Sequence, residues 1–179
     1  TYRKLGYAVN DDEMQYIDIN GIQCETASTV LTDTSEFNTQ WGCIGQGETL
    51  ASPVQLMMWQ SAVASGTGKM TMPHIISRVT DVNGRNTEVY GTKYSKPIFS
   101  EETASTVRQI LLTNGANHYA GSIPGYTIGI KSGTAQVAEG REENALLAGF
   151  VDDPEHPIAF CVLIENKLST WVNPEQIVN

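Results

Sequence analysis

Two short apolar runs, residues 145–151 and 158–164, constrain this chain more than any other feature. Each is apolar at successive positions rather than at every second one, the pattern of a strand covered on both faces. The link between them, Asp152-Asp153-Pro154-Glu155-His156-Pro157, is too short for a crossover helix, so the strands should be antiparallel neighbours. Upstream lies Gly125-Tyr126-Thr127-Ile128-Gly129-Ile130-Lys131-Ser132-Gly133-Thr134-Ala135, β-branched and punctuated by glycine, which supplies a third strand. A sheet apolar on both faces requires helices on both, and the remaining sequence must provide them.

Two segments do so. Ser52 can cap a helix whose first position is Pro53, and Gly66 stops it. Val54, Met57, Met58 and Ala62 recur at helical spacing with Trp59 beside them, so the methionine-rich stripe reads as core. Ser100 caps a second helix, with Glu101 and Glu102 at its positive end. Val107, Ile110 and Leu111 form its apolar stripe, and Gly115 after Asn114 should end it. Between the helices, Ile75, Ile76, Val79 and Val82 lead to Asn83-Gly84 and on to Thr87, Val89 and Tyr90, a hairpin signal. Asn173 and Pro174 open a short terminal helix within residues 169–179.

The first 50 residues are less legible. Residues 1–6 read as a helix end closed by glycine, residues 11–13 as a polar loop, and Tyr16–Ile19 as a short extended piece. Residues 26–38, rich in threonine and serine, suggest irregular structure. Ile44-Gly45-Gln46-Gly47 is a tight glycine turn leading into the first long helix. The reading is an α+β domain, an antiparallel sheet covered by helices.

A chain of 179 residues, 40% apolar and 17% charged, is about one folded domain. No apolar run approaches the roughly 18 residues of a membrane span, and no signal peptide is recognisable. The net charge of −9 argues against nucleic acid, which needs a basic face, and suits a solvated acidic surface. Cys24, Cys43 and Cys161 fit neither a metal site nor a dense disulfide framework, although a Cys24–Cys43 bond is open outside the cytoplasm. Cys161 reads as a small core hydrophobe, and His156 as a solvated turn residue. The first residues read as the interior of a helix, so the chain is expected to be a piece of something longer.

Chemistry concentrates at residues 131–134. On a strand, Ser132 and Thr134 share one face while Lys131 and Gly133 take the other. Hydroxyls and an ammonium suit an anion, and a glycine lets a ligand backbone approach. One reading is an exposed strand end. A second is a phosphate loop, since Gly125-x-x-x-x-Ile130-Lys131-Ser132 nearly spells that motif. It fails twice: Ile130 stands where glycine is needed, and Gly133-Thr134-Ala135-Gln136-Val137 looks extended rather than helical.

The third reading is a resemblance to penicillin-binding protein transpeptidase domains of the monofunctional, class B type. Lys131-Ser132-Gly133-Thr134 is the lysine-hydroxyl-glycine element of that family and of serine β-lactamases. Ile44-Gly45-Gln46-Gly47, Ser52-Pro53-Val54-Gln55-Leu56 and Ala62-Val63-Ala64-Ser65-Gly66 resemble its glycine turn and following helix. Ala148-Gly149-Phe150 and Val162-Leu163-Ile164-Glu165-Asn166 resemble the two strands after the lysine strand. The match runs over residues 42–166, and Arg3-Lys4-Leu5-Gly6-Tyr7 resembles the tail of the helix that begins with the family's Ser-x-Asn element.

The resemblance implies a serine D,D-transpeptidase that cross-links peptidoglycan through an acyl-enzyme on D-Ala-D-Ala stem peptides and is inhibited by β-lactams. It implies Lys131 as a catalytic residue beside the Ser-x-Asn hydroxyl. Ser132 and Thr134 would bind the substrate carboxylate, the Thr134 N–H would stabilise the oxyanion, Gly133 would leave room for the substrate strand, and Gln136 would stand at the rim. No cofactor or metal is implied. No serine in this chain is followed by lysine at the third position, and no Ser-x-Asn occurs. Residues 1–179 are therefore expected to be the C-terminal portion of one transpeptidase domain, inactive alone, partnered by the domain's N-terminal half and by wall-synthesis or division proteins. The parent would face outward in the bacterial envelope, anchored by an upstream segment. Alternatives are a noncatalytic scaffold of the wall-synthesis complex, or a β-lactamase or β-lactam sensor.

Overall fold

The computed structural model describes residues 1–10, 12–31, 36–137, 143–167 and 171–179. Helix α1 (Tyr2–Leu5) ends at Gly6, whose φ of 94° is the left-handed cap read from the sequence. Strand β1 (Ala8–Val9) is followed by a hairpin, β2 (Tyr16–Ile19) and β3 (Ile22–Glu25). The turn is Asn20-Gly21, both with positive φ, an Asn-Gly signal that the sequence reading passed over. Residues 26–38 are not wholly irregular: they contain β4 (Ser28–Thr29) and the start of α2 (Glu36–Cys43). Strand β4 pairs parallel with β1 and antiparallel with β5 (Thr49–Leu50), and Thr29 is buried with its hydroxyl 3.0 Å from that of Thr49. These pairings are non-local and two residues long, so no local pattern announces them. The glycine turn leads into the helix as expected, with the two-residue strand β5 between them. Asp11, residues 32–35 and Ser169 lie outside the described residues.

Helix α3 (Pro53–Ala64) has the predicted start: the Ser52 hydroxyl accepts from the Gln55 N–H at 3.2 Å. Ser52→Ala should lower stability by about 1 kcal/mol, read as a lower urea midpoint at unchanged slope; an unmoved midpoint would show that the cap contributes nothing. Met58, Ala62 and Val63 are buried, and Met58 and Ala62 join Ile17, Met70 and Ile98 in one core cluster. The helix also holds the N-terminal region. Trp59 Nε1 and Gln55 Nε2 donate to the Leu5 carbonyl at 2.8 and 3.4 Å, satisfying an acceptor that α1 leaves over. Tyr7 stacks on Trp59, and burial pushes its phenol up to about 12.

Strands β6 (Thr71–Met72) and β9 (Lys93–Tyr94) pair around a second hairpin, β7 (Arg78–Thr80) and β8 (Asn86–Val89), at the predicted place. The Asp81 carboxylate accepts from the N–H groups of Asn83 and Arg85, fixing that turn.

Helix α4 (Glu101–His118) starts at Ser100 as expected but does not stop at Gly115. Gly115 is buried inside it, and a Cβ there would stand 2.0 Å from the Ile128 carbonyl oxygen. It is a close-approach glycine, not a terminator. Ile110 is exposed at 59%, and the buried stripe is Ala104, Leu111 and Gly115.

Strands β10 (Ile128–Gln136), β11 (Glu143–Val151) and β12 (Ala159–Ile164) form the predicted antiparallel sheet, in that order. One face packs on α3 and α4, with Phe150 between Val63 and Leu111. On the other, Ile128, Ile130 and Leu147 pack with Ile123 and with Val178 of the terminal helix α5 (Pro174–Val178). The β11–β12 turn carries an exposed His156 bonded to Asp153, as a solvated turn residue should be. All three cysteines are free thiols, so Cys24 and Cys43 are not joined. Cys161, read as a core residue, is half-buried, and that burial pushes its thiol up to about 11.

Candidate active site

The site is built on β10, which has β11 on one edge and, among the described residues, no strand on the other. The Asp152 N–H donates to the Thr127 carbonyl at 2.8 Å, so the carbonyl of Thr127 points toward β11. In an extended strand, polar backbone groups alternate direction from residue to residue. The carbonyls and N–H groups of Ile128, Ile130, Ser132 and Thr134 therefore point to the open edge. Side-chain donors confirm three of them. Asn114 Nδ2 reaches the Ile130 carbonyl at 2.8 Å, Lys131 Nζ the Ser132 carbonyl at 2.6 Å, and Gln46 Nε2 the Thr134 carbonyl at 3.3 Å.

The strand changes character midway. Ile128, Gly129 and Ile130 are buried, whereas Lys131, Ser132, Thr134 and Gln136 are exposed and Gly133 is half-buried. The first half is sealed by α4. There the glycines are packing requirements, since a Cβ on Gly129 would stand 2.2 Å from the Phe150 ring. Gly133 differs: an added Cβ would meet only Leu146, at an ordinary 3.6 Å. Packing within the fold does not require a glycine there.

Two anchors fix the start of β10. Arg108 of α4 pairs with Asp152 and donates through Nε to the Ala64 carbonyl at 3.2 Å, tying α3, α4 and the end of β11 together. The Asp152 N–H then holds Thr127. Both partners of the ion pair are about 30% exposed, so its main effect is to set position rather than to add much stability.

The five residues singled out in the sequence thus share one exposed stretch of strand. Alternation puts the Ser132 and Thr134 hydroxyls on the face of Ile130, and Lys131 and Gly133 on the face of Gly129. An ammonium, two hydroxyls and a row of backbone N–H groups facing an edge with no strand on it suit an extended ligand carrying a carboxylate. Sequence reasoning missed two contributors. Gln46 sits between two positive-φ glycines, a turn that the sequence predicts without predicting its side chain's target. Asn114 lies next to the glycine expected to end the helix, and nothing local marks its bond to Ile130. An apolar cavity of about 580 Å³ lies elsewhere, between α3 and the β11–β12 turn, and none of the five residues lines it. Among the described residues, no cluster of His, Cys, Asp and Glu side chains could hold a metal ion.

The penicillin-binding protein transpeptidase domain matches this sequence over residues 1–177. The chain belongs to that family. Solved structures agree at the level of fold. Penicillin-binding protein A from Mycobacterium tuberculosis superposes with a TM-score of 0.75 at 19% identity, covering 92% of this chain and 36% of that one. Its ceftriaxone acyl-enzyme complex gives 0.78 at 18% identity, over 98% and 39%. The D,D-transpeptidase domain of a peptidoglycan glycosyltransferase from Eggerthella lenta gives 0.69 at 18% identity, over 92% and 41%. The chain thus spans well under half of each of these structures. No curated protein matches the sequence. Within this fold β10 carries Lys131-Ser132-Gly133-Thr134 on its exposed half.

Proposed function

We propose that residues 1–179 are the C-terminal part of a serine D,D-transpeptidase domain, and that β10 forms one wall of its acyl-transfer cleft. The observation that carries the reading is the open edge of β10. Its outward carbonyls and N–H groups lie beside one ammonium and two exposed hydroxyls on the lysine strand of a transpeptidase-family chain.

In this reading a stem peptide ending in D-Ala-D-Ala adds to the edge as an extended strand. The Ser132 and Thr134 hydroxyls take its terminal carboxylate through charge-assisted hydrogen bonds, which are shorter and stronger than neutral ones. The Thr134 N–H points to the open edge and donates to the oxyanion that forms when the scissile carbonyl is attacked. Lys131 places a positive charge beside the reacting groups and lowers the energy of negative charge developing there. Gly133 gives the ligand backbone room, and Gln136 stands at the rim.

The attacking serine and the groups that take its proton belong to Ser-x-x-Lys and Ser-x-Asn elements, neither of which occurs in this sequence. We place both upstream of Thr1, in an extracytoplasmic, membrane-tethered parent of the bacterial envelope. β-Lactams, as mimics of the donor peptide, bind the same wall. The test is covalent labelling. The full-length protein should form a stoichiometric adduct with a fluorescent penicillin, and residues 1–179 alone should form none. An unlabelled full-length protein would overturn the enzyme reading, and an adduct on residues 1–179 would overturn the placement of the nucleophile.

A further inference from the structure

The outward carbonyls of β10 are held in different ways along the strand. Helix α4 serves the first two: its backbone at Gly115 lies against the Ile128 carbonyl, and Asn114 Nδ2 donates to the Ile130 carbonyl at 2.8 Å. The next two take their partners from elsewhere. The Ser132 carbonyl takes the Lys131 ammonium, and the Thr134 carbonyl takes the Gln46 carboxamide. Among the described residues, Asn114 thus makes the last side-chain hydrogen bond from α4 to β10.

That bond falls on the peptide unit from which Lys131 hangs. The Ile130 carbonyl and the Lys131 N–H lie in one plane. The carbonyl faces outward to Asn114, and the N–H faces β11, where Lys131 is paired with Ala148. The unit is gripped from both edges. Burial changes at the same place, since Ile130 is fully buried and Lys131 is exposed. The grip also stands on a fixed base. Asn114 is half-buried beside Gly115, whose close contact with Ile128 sets the height of α4 over the strand. Arg108 of the same helix ties it to the Ala64 carbonyl of α3 and to Asp152.

We propose that Asn114 is a positioning residue for Lys131: its carboxamide clamps the outward side of the Ile130–Lys131 peptide and fixes where the exposed half of β10 begins. This rests on the transpeptidase reading given above. The clamp matters more to the chemical step than to binding. Attraction of an anionic ligand over a distance tolerates a small shift of the ammonium, whereas stabilisation of charge on a reacting atom does not.

The experiment uses the full-length protein and a fluorescent penicillin, and separates the dissociation constant of the first complex from the limiting acylation rate. Asn114→Ala should lower the limiting rate about tenfold and leave the dissociation constant within about twofold, since misplacing a reacting group by about 1 Å can cost up to about 10²-fold. Asn114→Asp keeps the shape and tests the donor. Its carboxylate can only accept, but once protonated it can donate to the Ile130 carbonyl. Its rate relative to the unmodified protein at the same pH should start at or below that of Asn114→Ala. It should climb above that level as pH falls through the titration of the new carboxyl. A merely structural role gives a ratio that does not change with pH. Such a flat ratio overturns the assignment and leaves the transpeptidase reading standing. So does an unchanged rate in Asn114→Ala, or a loss that falls on the dissociation constant instead. If the unmodified protein is not acylated at all, the transpeptidase reading falls and this assignment falls with it.

Discussion

Replacing Lys131 by alanine in the full-length protein should slow acylation by a fluorescent penicillin by about 10²-fold or more, the range seen when one preorganised electrostatic group is removed from an acyl-transfer site. Lys131 is the sole charged side chain on β10, in a chain whose net charge is −9. In the proposed mechanism an anionic ligand meets this positive charge on an acidic protein, so removing it should cost both attraction and stabilisation of developing negative charge. The fold should not notice. Lys131 is exposed, and among the described residues its ammonium bonds to the carbonyl of the next residue. Unfolding should shift by no more than about 0.5 kcal/mol, as is usual for an exposed substitution, so slow labelling cannot be blamed on misfolding. Lys131→Arg should recover only part of the rate, because a planar guanidinium does not present its charge as a compact ammonium does. Labelling kinetics equal to those of the unmodified protein would remove Lys131 from the mechanism.

The parts of this chain that were legible in its sequence are those whose cause is local. Ser52 and Pro53 start a helix through one hydroxyl and one missing N–H, and the computed structure starts it there. Residues 145–151 and 158–164 announce a doubly covered sheet because every position is apolar; β11 is packed on both faces, whereas the outer strand β12 is only half-buried, with Leu163 and the preceding Ile158 exposed. That residues 131–134 lie on a strand was readable from the β-branched, glycine-punctuated run before them. What the sequence concealed depends on partners far along the chain. The two-residue strands β1, β4 and β5 exist through one another, and Thr29 is buried by Thr49 rather than by any pattern of its own. Gln46 and Asn114 bond to carbonyls 88 and 16 residues away, and a carboxamide carries no local sign of its target. Asn20-Gly21 is a different kind of miss, since the turn signal was present and flanked by Ile19 and Ile22.

Gly115 shows how a local rule fails for a physical reason, and it yields the second large effect. A glycine late in a helical pattern is usually its end, yet α4 runs three residues further. Helix propensity alone says that Gly115→Ala should stabilise α4 by about 1 kcal/mol. The packing says the opposite. The new methyl would stand 2.0 Å from the Ile128 carbonyl oxygen, and both atoms belong to or hang directly from backbone. No rotamer can relieve the clash, so α4 or the start of β10 must move. Such overpacking typically costs about 1–3 kcal/mol, and we expect Gly115→Ala to lower stability by about 2 kcal/mol net, measured by urea unfolding of the full-length protein. Gly91→Ala is the control, because an added Cβ there meets nothing within 4 Å; it should be neutral within about 0.5 kcal/mol. The displacement should also reach the site, since Asn114 beside Gly115 holds the Ile130 carbonyl one residue before Lys131. Gly115→Ala combined with Asn114→Ala should therefore be less damaging than the sum of the two, with a coupling of about 0.5 kcal/mol or more. A Gly115→Ala protein more stable than the parent would mean that α4 does not press on β10, and the anchoring of the lysine strand by that helix would have to be abandoned.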